Sequence, residues 1–252
     1  MVDPLGRGLR VAVFQRHPRH DDVTGCLAQV LADMRWCEAR AVDLAVFPEG
    51  FLQGYSYDRQ VLARRALALD GEVFQEILAR FASSTPTVVL GVIERRGDRL
   101  YNSAAVVRAG KLLGVYAKTH PNEDGIEPGR DTPLFEACGW PFGVTICNDA
   151  NFAEPAMGLS RLGARLLCCP LNNMMRPKKI DYWRTRSLET FRQRAIDTGC
   201  WIASADVVGR HEDWRSIGCS CIFAPDGRLV TRVAEGEEGV ALLDLAHGPG
   251  AT

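Results

Sequence analysis

A chain of 252 residues, 46% hydrophobic and 24% charged, has the make-up of a globular protein, which excludes a disordered, collagen-like or coiled-coil chain. Thirty basic against 31 acidic side chains leave a net charge of -1, so overall electrostatics draw it to neither nucleic acid nor a membrane surface. The nine cysteines are odd in number and scattered, several in apolar runs (Cys168, Cys169, Cys200), which predicts free thiols in a reducing, cytoplasmic compartment.

The opening MVDPLGRGLR lacks an apolar core and predicts no secretory leader. No apolar run reaches the roughly 18 residues of a membrane span. Arg10–Gln15 reads as a strand, and 21–40 as a helix with one apolar face formed by Val23, Leu27, Val30, Leu31, Met34 and Cys37. A strand at 42–47 runs into Pro48-Glu49-Gly50, completing a βαβ unit. A helix at 72–83 precedes strands at 87–94, 100–107 and 112–117, joined by short turns; this meander predicts mixed sheets. Residues 119–133 hold three prolines and no periodicity, a long loop of the kind that often carries function. A strand at 142–146 ends at Cys147. A helix at 154–162 and a buried strand at 164–169 follow. A long amphipathic helix at 178–198 stops at Gly199, and strands come at 200–207, 217–224, 228–233 and 239–244. No linker or repeat interrupts this. One α/β domain over 1–252, with helices covering mixed sheets, is expected.

Three polar residues stand at the ends of apolar strands: Glu49 after AVFP, Lys118 after GVYA and Cys147 after GVTI. Ligands collect at the carboxyl ends of strands in α/β folds. A carboxylate, an ammonium and a thiol meeting at one rim form a working set for acyl transfer, as base, oxyanion partner and nucleophile. A thiol of ordinary pKa, about 8.5, is mostly protonated at neutral pH and needs the base. Each residue alone reads as blandly as a helix cap, a charged strand edge or a core thiol. Their equivalent positions are what point to chemistry.

The segments VAVFQ, DLAVFPEGFLQGY, YNSAAVVRAGKLLGVYAKTH, IEPGRDTPLFEACGWPFGVTICNDANFAE, GARLLCCPLNN, RAIDTGCWIASADVVG and SCIFAPDGRLV resemble the nitrilase superfamily of carbon–nitrogen hydrolases over roughly residues 10–244. The resemblance implies a four-layer αββα sandwich with two mixed sheets. It implies a Glu–Lys–Cys triad of Glu49, Lys118 and Cys147, with a second Glu in the following loop. Glu123 is the better match for that Glu, and Glu127 is the alternative. Cys-Asn-Asp is similar to the N-carbamoyl-D-amino-acid amidohydrolases, whose next two residues are arginines that bind a carboxylate; Ala150 and Asn151 stand there in this chain. Nitrilases resemble Cys-Trp-Glu instead, which argues for an amide or ureide over a nitrile.

The expected reaction is hydrolysis of a linear amide or N-carbamoyl compound through a thioester, releasing ammonia or an amine, with no cofactor and no metal. Asn148, Asn151, Asn172, Asn173 and Arg176 are candidate substrate contacts, Arg176 as a substitute anion anchor. Met174 and Met175 could line the pocket or belong to the core. His120 reads as a packing and hydrogen-bonding residue. Cys168-Cys169 and Cys219-x-Cys221 lack metal-ligand spacing. The alternative is a retired hydrolase scaffold serving as a binding or regulatory protein. An acyl- or amide-transferase would commonly need a second domain or a membrane segment. The expected partners are a small-molecule amide or carbamoyl substrate and a second copy of the chain, paired through the helices at 154–163 and 178–198. Nucleic acid and membrane are not expected partners.

Overall fold

The computed structural model describes residues 8–246; most of the segment read as leader-free lies outside the described residues. In chain order the elements are β1 (Leu9–Gln15), α1 (Val23–Glu38), β2 (Leu44–Val46), α2 (Arg59–Arg65), α3 (Glu72–Ala79), β3 (Thr87–Arg96), β4 (Arg99–Arg108), β5 (Lys111–Ala117), β6 (Phe135–Ala137) and β7 (Trp140–Val144). After a 3-10 turn (Cys147–Asn151) come α4 (Ala153–Arg161) and β8 (Leu166–Pro170). A second 3-10 turn (Pro177–Lys179) then leads into α5 (Ile180–Thr198), β9 (Trp201–Ala205), β10 (Gly209–His211), β11 (Trp214–Ser216), β12 (Cys221–Phe223), β13 (Leu229–Arg232) and β14 (Gly239–Leu245).

Two six-stranded sheets form, ordered β14-β1-β2-β3-β4-β5 and β13-β12-β9-β8-β7-β6. The period-2 alternation of side chains assigns their faces. Val11, Val13, Leu44 and Val46 of the first sheet meet Phe142, Val144, Leu166 and Cys168 of the second in a buried seam between the sheets. The neighbouring residues point outward. Ala12, Phe14 and Ala45 pack under Val30 and Met34 of α1 and Phe74 and Ile77 of α3. Leu167, Cys169 and Ile202 pack under Leu159 of α4 and Phe191 of α5. The layers are therefore helix, sheet, sheet, helix. Each fully buried Val, Leu, Ile or Phe contributes about 1.5–3 kcal/mol of transfer free energy.

Both sheets are mixed. β1, β2 and β3 run parallel, whereas β3, β4 and β5 form an antiparallel meander. β5 therefore points the same way as β2. β7, β8 and β9 are parallel. This places Glu49, Lys118, Cys147 and Asn172 just beyond the carboxyl ends of β2, β5, β7 and β8.

The structure adds three pieces to the sequence reading. α2 is seven residues long, held by the Asp58 side chain on Gln60 and Val61 N–H. β6 and the β10–β11 hairpin use strands of three residues, too short to show alternation. β7 ends at Val144 rather than 146, because the N–H of Ile146 leaves the sheet to bind the Asp149 carboxylate at 2.9 Å. α1 and α5 form where periodicity placed them, with Asp22 capping the first and Gly199, φ 64°, ending the second.

Candidate active site

Lys118 has zero solvent exposure, and so does the side chain of Glu49. The Lys118 ammonium reaches Glu49 Oε1 at 2.8 Å, Glu123 Oε1 at 2.9 Å and Asn122 Oδ1 at 3.1 Å. Asn102 spans the two carboxylates, its Nδ2 donating to each at 2.7 Å. A buried ammonium is tolerable only when paired and fully hydrogen-bonded, and here all three protons have acceptors. Desolvation works to lower the Lys118 pKa, but the adjoining carboxylates outweigh it and hold the ammonium charged. Glu123 stays below the usual carboxylate range although burial opposes this, because Lys118 adjoins it. Glu49 is pushed upward, chiefly by burial. Its Oε2 is buried without a hydrogen-bond partner in the described structure. One carboxylate oxygen is thus fixed and the other left open to take a proton.

Glycine at two positions makes this packing possible. A Cβ on Gly91 of β3 would stand 2.1 Å from the carbonyl oxygen of Pro48 and 2.8 Å from Glu49 Cα; one on Gly129 would stand 2.1 Å from the Ala117 carbonyl oxygen. The backbones beside Glu49 and Lys118 approach their neighbours closer than any side chain permits.

Cys147 opens the 3-10 turn after β7 with φ 44°. A left-handed conformation at a residue other than glycine costs about 1–3 kcal/mol and persists where its surroundings impose it. Asp149, with zero exposure, imposes it. Its carboxylate accepts Ile146 N–H at 2.9 Å, the Tyr116 hydroxyl at 2.7 Å, the Thr119 hydroxyl at 3.0 Å and His120 N–H at 2.8 Å. One carboxylate thereby ties the thiol's turn to the segment following Lys118. Burial and then Glu49 hold the thiol pKa well above its ordinary value, with Lys118 and a backbone hydrogen bond from Asn172 opposing. The resting thiol therefore keeps its proton until a base takes it. The Glu49 N–H donates to the Leu171 carbonyl at 3.0 Å, so residues 171–172 bridge the base and the thiol.

Above Cys147 lies a cavity of about 320 Å³ lined by, among others, Asn148, Asn151, Met174, Arg176, Lys179 and Trp183. That is within the range of small-molecule sites. Asn148, Asn151, Asn172, Asn173 and Arg176 all line it, and Met174 and Met175 do too. Asn148 donates to the His120 carbonyl and accepts from Asn151. Asn173 is held by its N–H and Nδ2 on the buried Asp206, each at 2.9 Å; burial pushes that carboxyl up to about 7. Glu127 is exposed and away from Lys118, so of the two loop acids Glu123 is the one that joins it. His120 stacks on Phe152 at 3.9 Å. Cys168 and Cys169 face opposite sides of β8. Among the described residues no group of three His, Cys, Asp or Glu side chains could hold a metal, and no helix is long and apolar enough to cross a membrane.

Asn102, Asp149, Tyr57, Lys179 and Trp183 escaped the sequence reading. Asn102 and Asp149 lie inside recognisable segments, YNSAAVV and CND, and the polar residue in each apolar strand or turn was the available signal. The other three reach the cavity through tertiary packing.

A buried carboxylate–ammonium–carboxylate cluster beneath a cavity thiol can deprotonate that thiol and stabilise an oxyanion formed beside it. The model of the carbon-nitrogen hydrolase family matches residues 10–248. The chain belongs to the carbon-nitrogen hydrolase family. As a carbon-nitrogen hydrolase it is 36% identical over 229 residues to the protein named "Hydrolase in pqqF 5'region" of Pseudomonas protegens, covering 88% of this chain and 78% of that protein. It is 29% identical to the glutamine-dependent NAD(+) synthetase of Thermotoga maritima across 94% of this chain, but spans 42% of that protein. Among solved structures, an amidase of Nesterenkonia sp. AN1 superposes with a TM-score of 0.82 at 20% identity, covering 97% of this chain and 93% of that one. That likeness shows the four-layer nitrilase-type fold.

Proposed function

We propose that this carbon-nitrogen hydrolase cleaves a linear, non-peptide C–N bond, in an amide or N-carbamoyl compound, through a thioester on Cys147. The observation that carries the proposal is the division of labour at Glu49: Oε1 is engaged by Lys118 and Asn102, while Oε2 is buried and unpartnered. Oε2 takes the Cys147 proton as the sulfur bonds to the carbonyl carbon. Lys118 and the N–H of Asn148 carry the oxyanion. Glu49 returns the proton to the leaving nitrogen as the C–N bond breaks, releasing ammonia or an amine. Water, deprotonated by the same Glu49, then adds to the thioester, and the proton restores the thiol as the C–S bond breaks. Glu123 orients Lys118. The scheme uses no metal or organic cofactor. A panel of simple amides, N-carbamoyl compounds and nitriles, read by ammonia release, tests it; turnover of nitriles alone, or of nothing, would count against it.

The residues after Cys147 restrict where a charge can sit. Ala150 is 4% exposed and apolar, and the Asn151 amide, which donates to Asn148 Oδ1 at 3.0 Å, carries no charge. Neither can grip a carboxylate directly beside the scissile group. Each missing charge-assisted contact is worth about 1.5–3 kcal/mol, or roughly ten- to a hundredfold. N-carbamoyl-D-amino acids are therefore expected to be poor substrates, and uncharged or differently anchored amides better ones. A preference above about tenfold for an N-carbamoyl amino acid over its neutral amide analogue would defeat this expectation. Loss of that preference in Arg176→Ala would then name the replacement anchor.

We also propose a homodimer through α4 and α5, with action in the cytoplasm as a single domain over 1–252. Leu162, at the end of α4, is 58% exposed, and Tyr182 and Ile196 of α5 are 64% and 43% exposed, apolar surface that a second copy would cover. Light scattering is expected to give twice the 27.7 kDa chain mass. A mass of 27.7 kDa at working concentration would exclude the dimer.

A further inference from the structure

The carboxyl ends of β8 and β9 lie side by side, and the peptide just beyond β8 touches both the base and the thiol. Leu171 and Asn172 share that peptide. Its carbonyl accepts the Glu49 N–H at 3.0 Å, and its N–H bonds the Cys147 sulfur. One rigid peptide plane therefore sets the base against the nucleophile. It is clamped from β9 on either flank. Upstream, the Leu171 N–H donates to the Ala205 carbonyl at 2.8 Å, continuing the parallel ladder. Downstream, the Asp206 side chain takes the ladder's place. Its Oδ1 accepts the Asn173 N–H and its Oδ2 the Asn173 Nδ2, each at 2.9 Å.

Asp206 interrupts the apolar run WIASADVV and has zero exposure. Its own N–H donates to Ser220 Oγ at 2.8 Å, which ties it to the residue before β12. The groups bonded to its carboxyl are neutral: Asn173 and the Val207 N–H. Arg184, Arg232, Glu235 and Cys219 line one small cavity with it, and Glu49 adds repulsion. Burial dominates and moves its titration up to about 7. Both oxygens face N–H donors, so a proton added to either sets donor against donor and breaks a bond to Asn173.

We propose that Asp206 is a positioning residue, holding residues 171–173 so that their peptide keeps Glu49 and Cys147 in reacting geometry. It acts through Asn173 rather than on the substrate. This rests on the reading of Cys147 as the nucleophile of an amide-hydrolysing site, and it adds to that site a residue outside the Glu49–Lys118–Cys147 set. The carboxylate is the form that makes both bonds to Asn173, so the rate follows its ionisation. The reactive population falls as pH drops through about 7, above the range of an ordinary carboxyl.

The test reads Cys147 itself, through its rate of labelling by iodoacetamide across about pH 5 to 9. It is run beside kcat and KM for an amide, in the full chain and in Asp206→Ala and Asp206→Asn. Asp206→Ala deletes both bonds and is expected to slow labelling and kcat by about ten- to a hundredfold, with KM little changed. Asp206→Asn keeps both. The new amide oxygen accepts the Asn173 N–H, and the new amide nitrogen donates to the Asn173 side chain once that amide turns over. At high pH this variant is expected to label at close to the parent's rate. The parent should show a step in labelling rate centred near pH 7, and Asp206→Asn should lack it, which a merely structural residue would not produce. Parent-like labelling in Asp206→Ala, slow labelling in Asp206→Asn at high pH, or a step that survives Asp206→Asn each overturns the inference. Should Asp206→Ala not fold, Asp206→Asn decides alone. If no amide is turned over but labelling follows this pattern, the hydrolase reading fails and the positioning role stands. If amides are turned over and labelling ignores both substitutions, the positioning role fails and hydrolysis stands.

Discussion

Cys147→Ala is expected to abolish turnover and leave the fold intact. The sulfur supplies the bond that holds the acyl group, and nothing else lining the cavity can replace it. Of the nine cysteines, Cys147 is the one among the described cavity residues. Cys168, Cys169 and Cys221 are buried in the packed layers, and the exposed Cys138 hydrogen-bonds Asp43. Alanine bears the left-handed backbone at φ 44° no worse than cysteine does, and the Asp149 bonds that impose the turn remain. Removing the nucleophile of a concerted set costs on the order of 10⁶-fold in kcat in a well-studied hydrolase. Residual activity above about a hundredth of the starting rate would mean the nucleophile lies elsewhere. Thermal unfolding of the variant should match that of the parent.

Lys118→Met is expected to damage both activity and stability. It leaves Glu49 and Glu123 buried, both bonded to Asn102, with no cation between them. Removing one partner of a buried ionic cluster costs about 3–5 kcal/mol, and for a chain of this size each kcal/mol lowers Tm by about 2–4 °C. The expected loss is therefore about 6–20 °C at neutral pH. The sign of the pH dependence follows. In the parent, Lys118 holds Glu123 below the usual carboxylate range, which stabilises the fold above the unfolded carboxylate pKa and is lost as pH falls through the folded one. In the variant, burial and mutual repulsion raise both carboxyls, so the folded state binds more protons than the unfolded and stability falls as pH rises from about 4 to 7. The deficit against the parent should thus widen across that window. A variant with the parent's Tm at neutral pH would show that the ammonium does not neutralise this cluster.

The elements longest in sequence were legible because their periodicity is dictated by burial. α1 has its apolar stripe towards the first sheet, and β3 to β5 alternate between two packed faces. Residues at strand ends were legible for a related reason: Glu49, Lys118 and Cys147 each interrupt an apolar run where the chain leaves its sheet. What could not be read is set by tertiary geometry. The β10–β11 hairpin brings Trp214 onto the cavity from a segment of charged residues. Asn102 sits in mid-strand among apolar neighbours, and its role depends on two carboxylates distant in sequence by 53 and 21 residues. Lys179 looked like one more charge before an amphipathic helix. Tertiary packing is what places it on the lining of the cavity. The choice between Glu123 and Glu127 likewise turned on the path of the loop, which carries Glu123 back under Lys118 and leaves Glu127 in solvent.

Alkylation with iodoacetamide, itself a small amide, reads out whether Cys147 is the nucleophile of an amide-hydrolysing site. Activity and the modification of each cysteine peptide would be followed together by mass spectrometry. Activity is expected to fall in proportion to labelling of Cys147, one label per chain, ahead of the exposed Cys138, and a hydrolysable amide is expected to slow the loss. Full activity in chains whose Cys147 carries the label, or lost activity in chains whose Cys147 is untouched, would contradict it.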